Sequence, residues 1–125
     1  MWTKEQLLYS LIKVEEVINT QTEAGNPILL TEKLNAISNI IGLSVKCVGE
    51  AEAIYCNKLS EMTYRITKEK PDIGSNERKI FVNGEIGEHI ELYTRADKLN
   101  KALVDCSTNL RTLISYIKHE IPLST

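Results

Sequence analysis

The chain has little of what marks specialised small folds. Aromatic residues make up 6% of its 125 positions, with one Trp and one Phe, and there are three cysteines, three prolines and six glycines. So few Pro and Gly residues exclude a linker-rich or disordered chain, and no internal repeat or low-complexity tract is present. Cysteines at 47, 56 and 106 cannot all pair within one chain and show no C-x-x-C spacing, which predicts a reduced, cytoplasmic protein. No charge dominates either. With 15 basic and 17 acidic residues the formal net charge is -2, so there is no global field to capture nucleic acid. The opening Met-Trp-Thr-Lys-Glu-Gln alternates charge with apolar residues and has no signal-peptide core, predicting a mature chain as written. The longest uncharged apolar stretch, 34–45, is broken by Asn35, Ser38, Asn39 and Ser44 and falls short of the roughly 20 residues of a membrane span. No membrane association is expected, and the whole of 1–125 reads as one soluble helical domain.

What the sequence does have is helical periodicity. Leu7, Leu11, Val14 and Ile18 form one stripe over 3–20, and Thr3 with Gln6 has the capping-box spacing that satisfies free amides of a first turn. Gly25, Asn26 and Pro27 then suggest a turn. A second helix is predicted over 31–68 with Thr31 as its N-cap. Its seam is read as Leu34, Ile41, Val48, Tyr55 and Met62, interleaved with Ser38, Val45, Glu52, Leu59 and Ile66. Gly42 and Gly49 lie within it, beside Ser38 and Ala53, and suggest either close approach of another helix or a kink. Pro71 ends this helix, and Asn83-Gly84 within Lys79–Ile86 suggests a type I′ turn, hence a short β-hairpin in a 69–86 tip. A third helix over 87–120 carries Leu92, Ala96, Leu99, Leu103, Cys106, Leu110, Leu113 and Ile117, spaced alternately four and three.

The expected fold is therefore all-α. A long, coiled-coil-like antiparallel hairpin dominates it, a β-hairpin sits at its tip, and Cys47 falls opposite the region of Cys106. A first helix about 27 Å long covers only about half of a hairpin twice that length. The uncovered half predicts a homo-oligomer in a larger bundle.

Catalytic motifs are missing. There is no phosphate-binding loop, dinucleotide fingerprint, H-E-x-x-H or nucleophile elbow, so no catalytic, cofactor or metal residue is expected. His89 and His119 would lie about 45 Å apart on one straight helix and cannot share a metal. Glu85 and His89 could share a helix face but lack the further ligands of a carboxylate bundle. The cysteines read as small buried hydrophobes. Glu52 reads as a buried polar residue in the seam, which pairs with Lys101 or another basic residue of the third helix, sets register or oligomer state, or lines a polar ligand cavity.

Local basic character is the remaining signal. Residues 1–32 carry net -3, residues 33–79 net +2 and the rest -1. Tyr64, Arg65, Lys68, Arg78, Lys79 and Phe81 fall near the tip, with Tyr93 and Arg95 following on the third helix. Arginines beside aromatic rings suit a protein partner, a phosphate or a stacked base. Short, motif-free and all-helical, the chain looks like the small accessory proteins that many bacteriophages and mobile elements encode, a likeness that implies a non-catalytic binding role. The leading expectation is an oligomeric helical protein acting by protein–protein interaction, as an inhibitor, adaptor or assembly factor. The alternative is a binder of a nucleotide or similar small anion between subunits through Arg65, Lys68, Tyr93 and Arg95. A nucleic-acid-binding accessory protein is the third.

Overall fold

A computed structural model describes the backbone of residues 1–123 and the side chains of residues 1–119. The described chain forms helix α1 (Lys4–Ile18), helix α2 (Pro27–Glu69) and helix α3 (Ser75–Leu123). The Thr3 hydroxyl accepts from the Gln6 amide at 3.2 Å while the Gln6 side chain accepts from the Thr3 amide at 2.8 Å, completing the capping box. α2 begins four residues before the expected Thr31. Asn26 is its N-cap, accepting from the amides of Ile28 and Leu29, and Pro27 sits at the first helical position, where its missing N–H is no loss. A dipeptide that reads as a turn is in fact a helix start.

The expected β-hairpin is absent: no strand occurs among the described residues, and α3 runs through Lys79–Ile86 without interruption. The turn between α2 and α3 shrinks to 70–74. Asn83-Gly84 is a local preference only, and a two-stranded hairpin standing alone is marginal in water. As a helix, the same residues place Val82 and Ile86 one turn apart, where both are buried against Met62 and Ile66. Gly84 is exposed and has no positive φ, so it costs the helix only about 1 kcal/mol relative to Ala.

The short turn also moves the register. Ser44 donates to the Asn100 side chain at 2.9 Å, Tyr55 stacks on Tyr93, and Arg65 reaches Glu85. Cys47 therefore packs with Leu92 and Ala96, while Cys106 lies further along beside Leu103 and Leu110, not opposite it. The α2 seam is corrected by one residue on one side. Leu34, Ile41, Val48, Tyr55 and Met62 do face inward, as do their expected companions Leu59 and Ile66, but earlier in the helix the companions are Leu30, Ile37, Ser44 and Ala51, not Ser38, Val45 and Glu52. Glu52 is exposed, so the buried polar position falls instead on Ser44. Hydropathy favours Val45 over Ser44, but packing favours the small residues, which let α1 and α3 approach α2 closely. Gly42 and Gly49 lie outside this contact, with open space where a Cβ would stand, and α2 passes both without a break.

α1 lies antiparallel to α2. The Trp2 amide donates to Glu50 at 2.8 Å, and at the other end Lys33 donates to the carbonyls of Ile18 and Thr20, capping the negative end of α1. Lys4 pairs with Glu88 and Arg95 with Glu15, tying α1 to α3. Two cores result where three helices meet. One joins Leu7 and Leu11 to Cys47, Ala51, Leu92 and Ala96, and the other joins Val14 to Leu30, Ile37, Leu103, Leu110 and Ile114. A third cluster, Met62, Ile66, Val82 and Ile86, contains no α1 residue.

By length and composition alone, α2 is long and apolar enough to cross a membrane, in contrast to the sequence expectation from residues 34–45. In this fold Leu30 and Ile37 of that helix supply the core against α3.

Candidate interaction surface

Beyond Trp2 and Lys4 the hairpin continues without α1. Residues 58–69 of α2 and 75–86 of α3 form a two-helix arm about 18 Å long. Two helices can bury only one stripe of each, and large apolar side chains consequently remain in water: Tyr64 is 64% exposed and Ile80 72%. Lys68 lies over the Tyr64 ring at 4.7 Å and Lys70 over Phe81 at 3.7 Å. These are cation–π contacts at the surface, worth about 0.5–1 kcal/mol. Arg65 is shared between Glu69 and Glu85, both at 3.8 Å.

One side of the arm is concave. A groove of about 350 Å³ between the helices is lined by Leu59, Thr63, Ser75, Arg78, Lys79, Val82 and Asn83. The Arg78 Nε is buried and has no hydrogen-bond partner. Neither Arg78 nor Lys79 meets a carboxylate of its own chain among the described residues, so the groove offers two unneutralised cations above an apolar floor.

The sequence-derived site thus divides. Tyr64, Arg65, Lys68, Arg78, Lys79 and Phe81 do share the arm, where a turn at 70–74 brings the end of α2 beside the start of α3. Tyr93 and Arg95 do not. Tyr93 stacks on Tyr55 with ring centroids 5.9 Å apart, and Arg95 is held by Glu15 at 2.8 Å. Along α3, Arg95 is about 15 Å from Glu85, the partner of Arg65, so within one chain the four residues expected to hold a nucleotide are not assembled. Arg95 lines a different groove of about 540 Å³ between α1 and α3, together with Glu15, Ile90, Thr94, Lys98 and Ala102.

Sequence reading counted Lys70 in the basic surplus of 65–79 without placing it in the site, and it missed Ile80, which fell inside the expected strand. It also missed the outward side of α1, where Tyr9 and Ile12 are exposed although the opposite side supplies Leu7, Leu11 and Val14 to the cores. Their apolar character one step off the main stripe was the available signal.

Burial pushes the Cys47 thiol above its ordinary value, and a hydrogen bond from Lys101 to Asp97 raises that lysine. Among the described residues no three His, Cys, Asp or Glu side chains gather as metal ligands. The chain matches no family model, no curated protein and no solved structure.

Proposed function

We propose that this protein is a non-catalytic, oligomeric helical binding protein that works in the cytoplasm as an inhibitor, adaptor or assembly factor, with the two-helix arm as its partner surface. The supporting observation is the arm itself: it extends past α1, keeps Tyr64 and Ile80 in water, sets Lys68 over Tyr64 and Lys70 over Phe81, and leaves Arg78 and Lys79 in its groove without a carboxylate. Exposed aromatic side chains and arginine, here Tyr64, Phe81 and Arg78, are the residue types that protein interfaces favour.

The test compares capture of host proteins by the wild-type chain and by a Tyr64→Ser, Ile80→Ser variant, with helicity followed by circular dichroism. Both positions are exposed, so the fold should survive. Loss of a captured protein at unchanged helicity is the expected result, and undiminished capture overturns the reading.

A small anion between subunits is the second reading, favoured by the unpartnered Arg78 Nε in the groove. A nucleotide at 100 times its dissociation constant should stabilise the fold by about 2.7 kcal/mol. A thermal-shift series with no response to any nucleotide removes it.

A further inference from the structure

We infer that the arm groove is a binding site, complete within one chain, for a small organic molecule that carries a phosphate monoester, with the phosphate on Arg78 and Lys79 and the rest of the molecule on Leu59 and Val82. This rests on the small-anion reading and gives it a place inside one arm and a chemical class.

The groove is open for a geometric reason. α1 packs on one face of the α2–α3 hairpin, where Leu7 and Leu11 meet Cys47 and Leu92, whereas the groove opens on the opposite face, beside a cluster that contains no α1 residue. No described element of the chain therefore lies over it. Its walls come from two helix faces that the 70–74 turn brings together. Leu59 and Thr63 stand one turn apart on α2, and Ser75, Lys79 and Asn83 follow one another at one-turn spacing on α3.

The side chains on those walls are matched to an oxyanion. Both charged residues among them are cations, and neither meets a carboxylate of its own chain among the described residues. Glu77, in the same first turn of α3, is not one of the lining residues. Arg65 and Arg95 are each held by a glutamate, but Arg78 is left uncommitted, its Nε buried and without an acceptor. A buried donor with no partner is costly, and a guanidinium satisfies its donors best on a carboxylate or phosphate. Thr63, Ser75 and Asn83 add two hydroxyls and an amide, and because α3 begins at Ser75 the positive end of its dipole lies at the same wall.

The count of donors selects phosphate over carboxylate. A phosphate monoester carries a charge of about -1.5 to -2 at pH 7 and three terminal oxygens, enough for two cations and the neutral donors beside them. A carboxylate brings a single charge and two oxygens, and leaves one cation unmatched. Free inorganic phosphate would in turn leave the Leu59 and Val82 floor uncovered, so an organic part is required. At about 350 Å³ the groove is near the lower end of small-molecule sites, of a size for one such compound.

The experiment titrates the ¹⁵N-labelled full-length chain with adenosine 5′-monophosphate, adenosine and inorganic phosphate, each to about 10 mM, and follows the backbone amides by NMR. The monophosphate should move the amides of Thr63 and of 75–83 and bind at least about tenfold more tightly than either of its parts, with an affinity that falls as salt screens the cations. Lys79→Glu, at an exposed site, should weaken it at least about tenfold, and Thr63→Val, which keeps the shape and loses the hydroxyl, several-fold. Arg65→Ala, which removes a side chain already held by Glu69 and Glu85, should leave it unchanged. Circular dichroism checks that each variant keeps wild-type helicity. Equal binding of adenosine and its monophosphate overturns the inference, because the phosphate then contributes nothing. Binding that moves the amides around Tyr93 and Arg95 and survives Lys79→Glu overturns it too, while leaving the small-anion reading in place elsewhere on the chain. If neither the monophosphate nor inorganic phosphate moves any groove amide, the site is not one for phosphate; loss of host-protein capture in the Tyr64→Ser, Ile80→Ser variant would still mark the arm as a partner surface.

Discussion

Single positions in α2 decide which side of the helix faces its neighbours. Ala51 is 2% exposed and packs with Leu7, Leu11 and Leu92, whereas its neighbour Glu52 is exposed. A leucine at either site would look equally apolar in the sequence, yet the effects should differ in kind. Glu52→Leu is expected to change stability by less than about 0.5 kcal/mol, as surface substitutions do. Ala51→Leu should destabilise by about 1–3 kcal/mol, because the enlarged side chain must displace α1 or α3. Urea denaturation of the two variants checks the register directly, and a large loss from Glu52→Leu would restore Glu52 to the seam. The cysteines differ in the same manner. Cys56 is exposed, while Cys47 is buried and its thiol is pushed up by that burial, so at neutral pH it holds even less of the reactive thiolate. Alkylation of the native protein followed by mass spectrometry should label Cys56 first, and labelling of Cys47 at a comparable rate would contradict its place in the core.

At the scale of elements, the start of α3 is where local preference and helical packing disagree most. Asn83-Gly84 suits a tight turn, but Val82 and Ile86 gain burial only if the backbone is helical. Substituting Gly84 with Ala distinguishes the two. In an exposed helix interior with open space at the Cβ, Gly84→Ala should stabilise by up to about 1 kcal/mol; in a type I′ turn, which needs positive φ, it would destabilise. The shift in melting temperature gives the sign. At the start of α2, the Asn26 cap accepts two amide hydrogens, and its replacement by Ala should cost about 1 kcal/mol. The capping box of α1 and the spacing of Leu92, Ala96, Leu99, Leu103 and Leu110 were legible because one helix face and one first turn are local patterns. On the other side of the α2 seam Leu59 and Ile66 were legible, but the middle of the helix was not, since Ser44 and Ala51 are buried for their small size and carry little hydropathy signal.

For the whole molecule, the governing feature is the mismatch between a short α1 and two long partners. Where α1 lies, three helices share cores; past Trp2, the arm is held by Met62, Ile66, Val82 and Ile86. Opening free energies should follow that division. Amide hydrogen exchange is expected to be faster in 58–86 than around Leu11, Leu103 and Leu110. Equal protection along the chain would mean that the arm needs no third helix. The sequence by itself determined the helical class, the antiparallel hairpin and the shortness of α1, because periodicity and length are properties of a single chain read in order. Only the tertiary structure decided that 75–86 is helical, that Ala51 and not Glu52 faces inward, and that Tyr93 and Arg95 stand apart from the arm. Each of those depends on what lies across the helix, and burial against a neighbour outweighs a local turn preference or a difference in side-chain hydropathy.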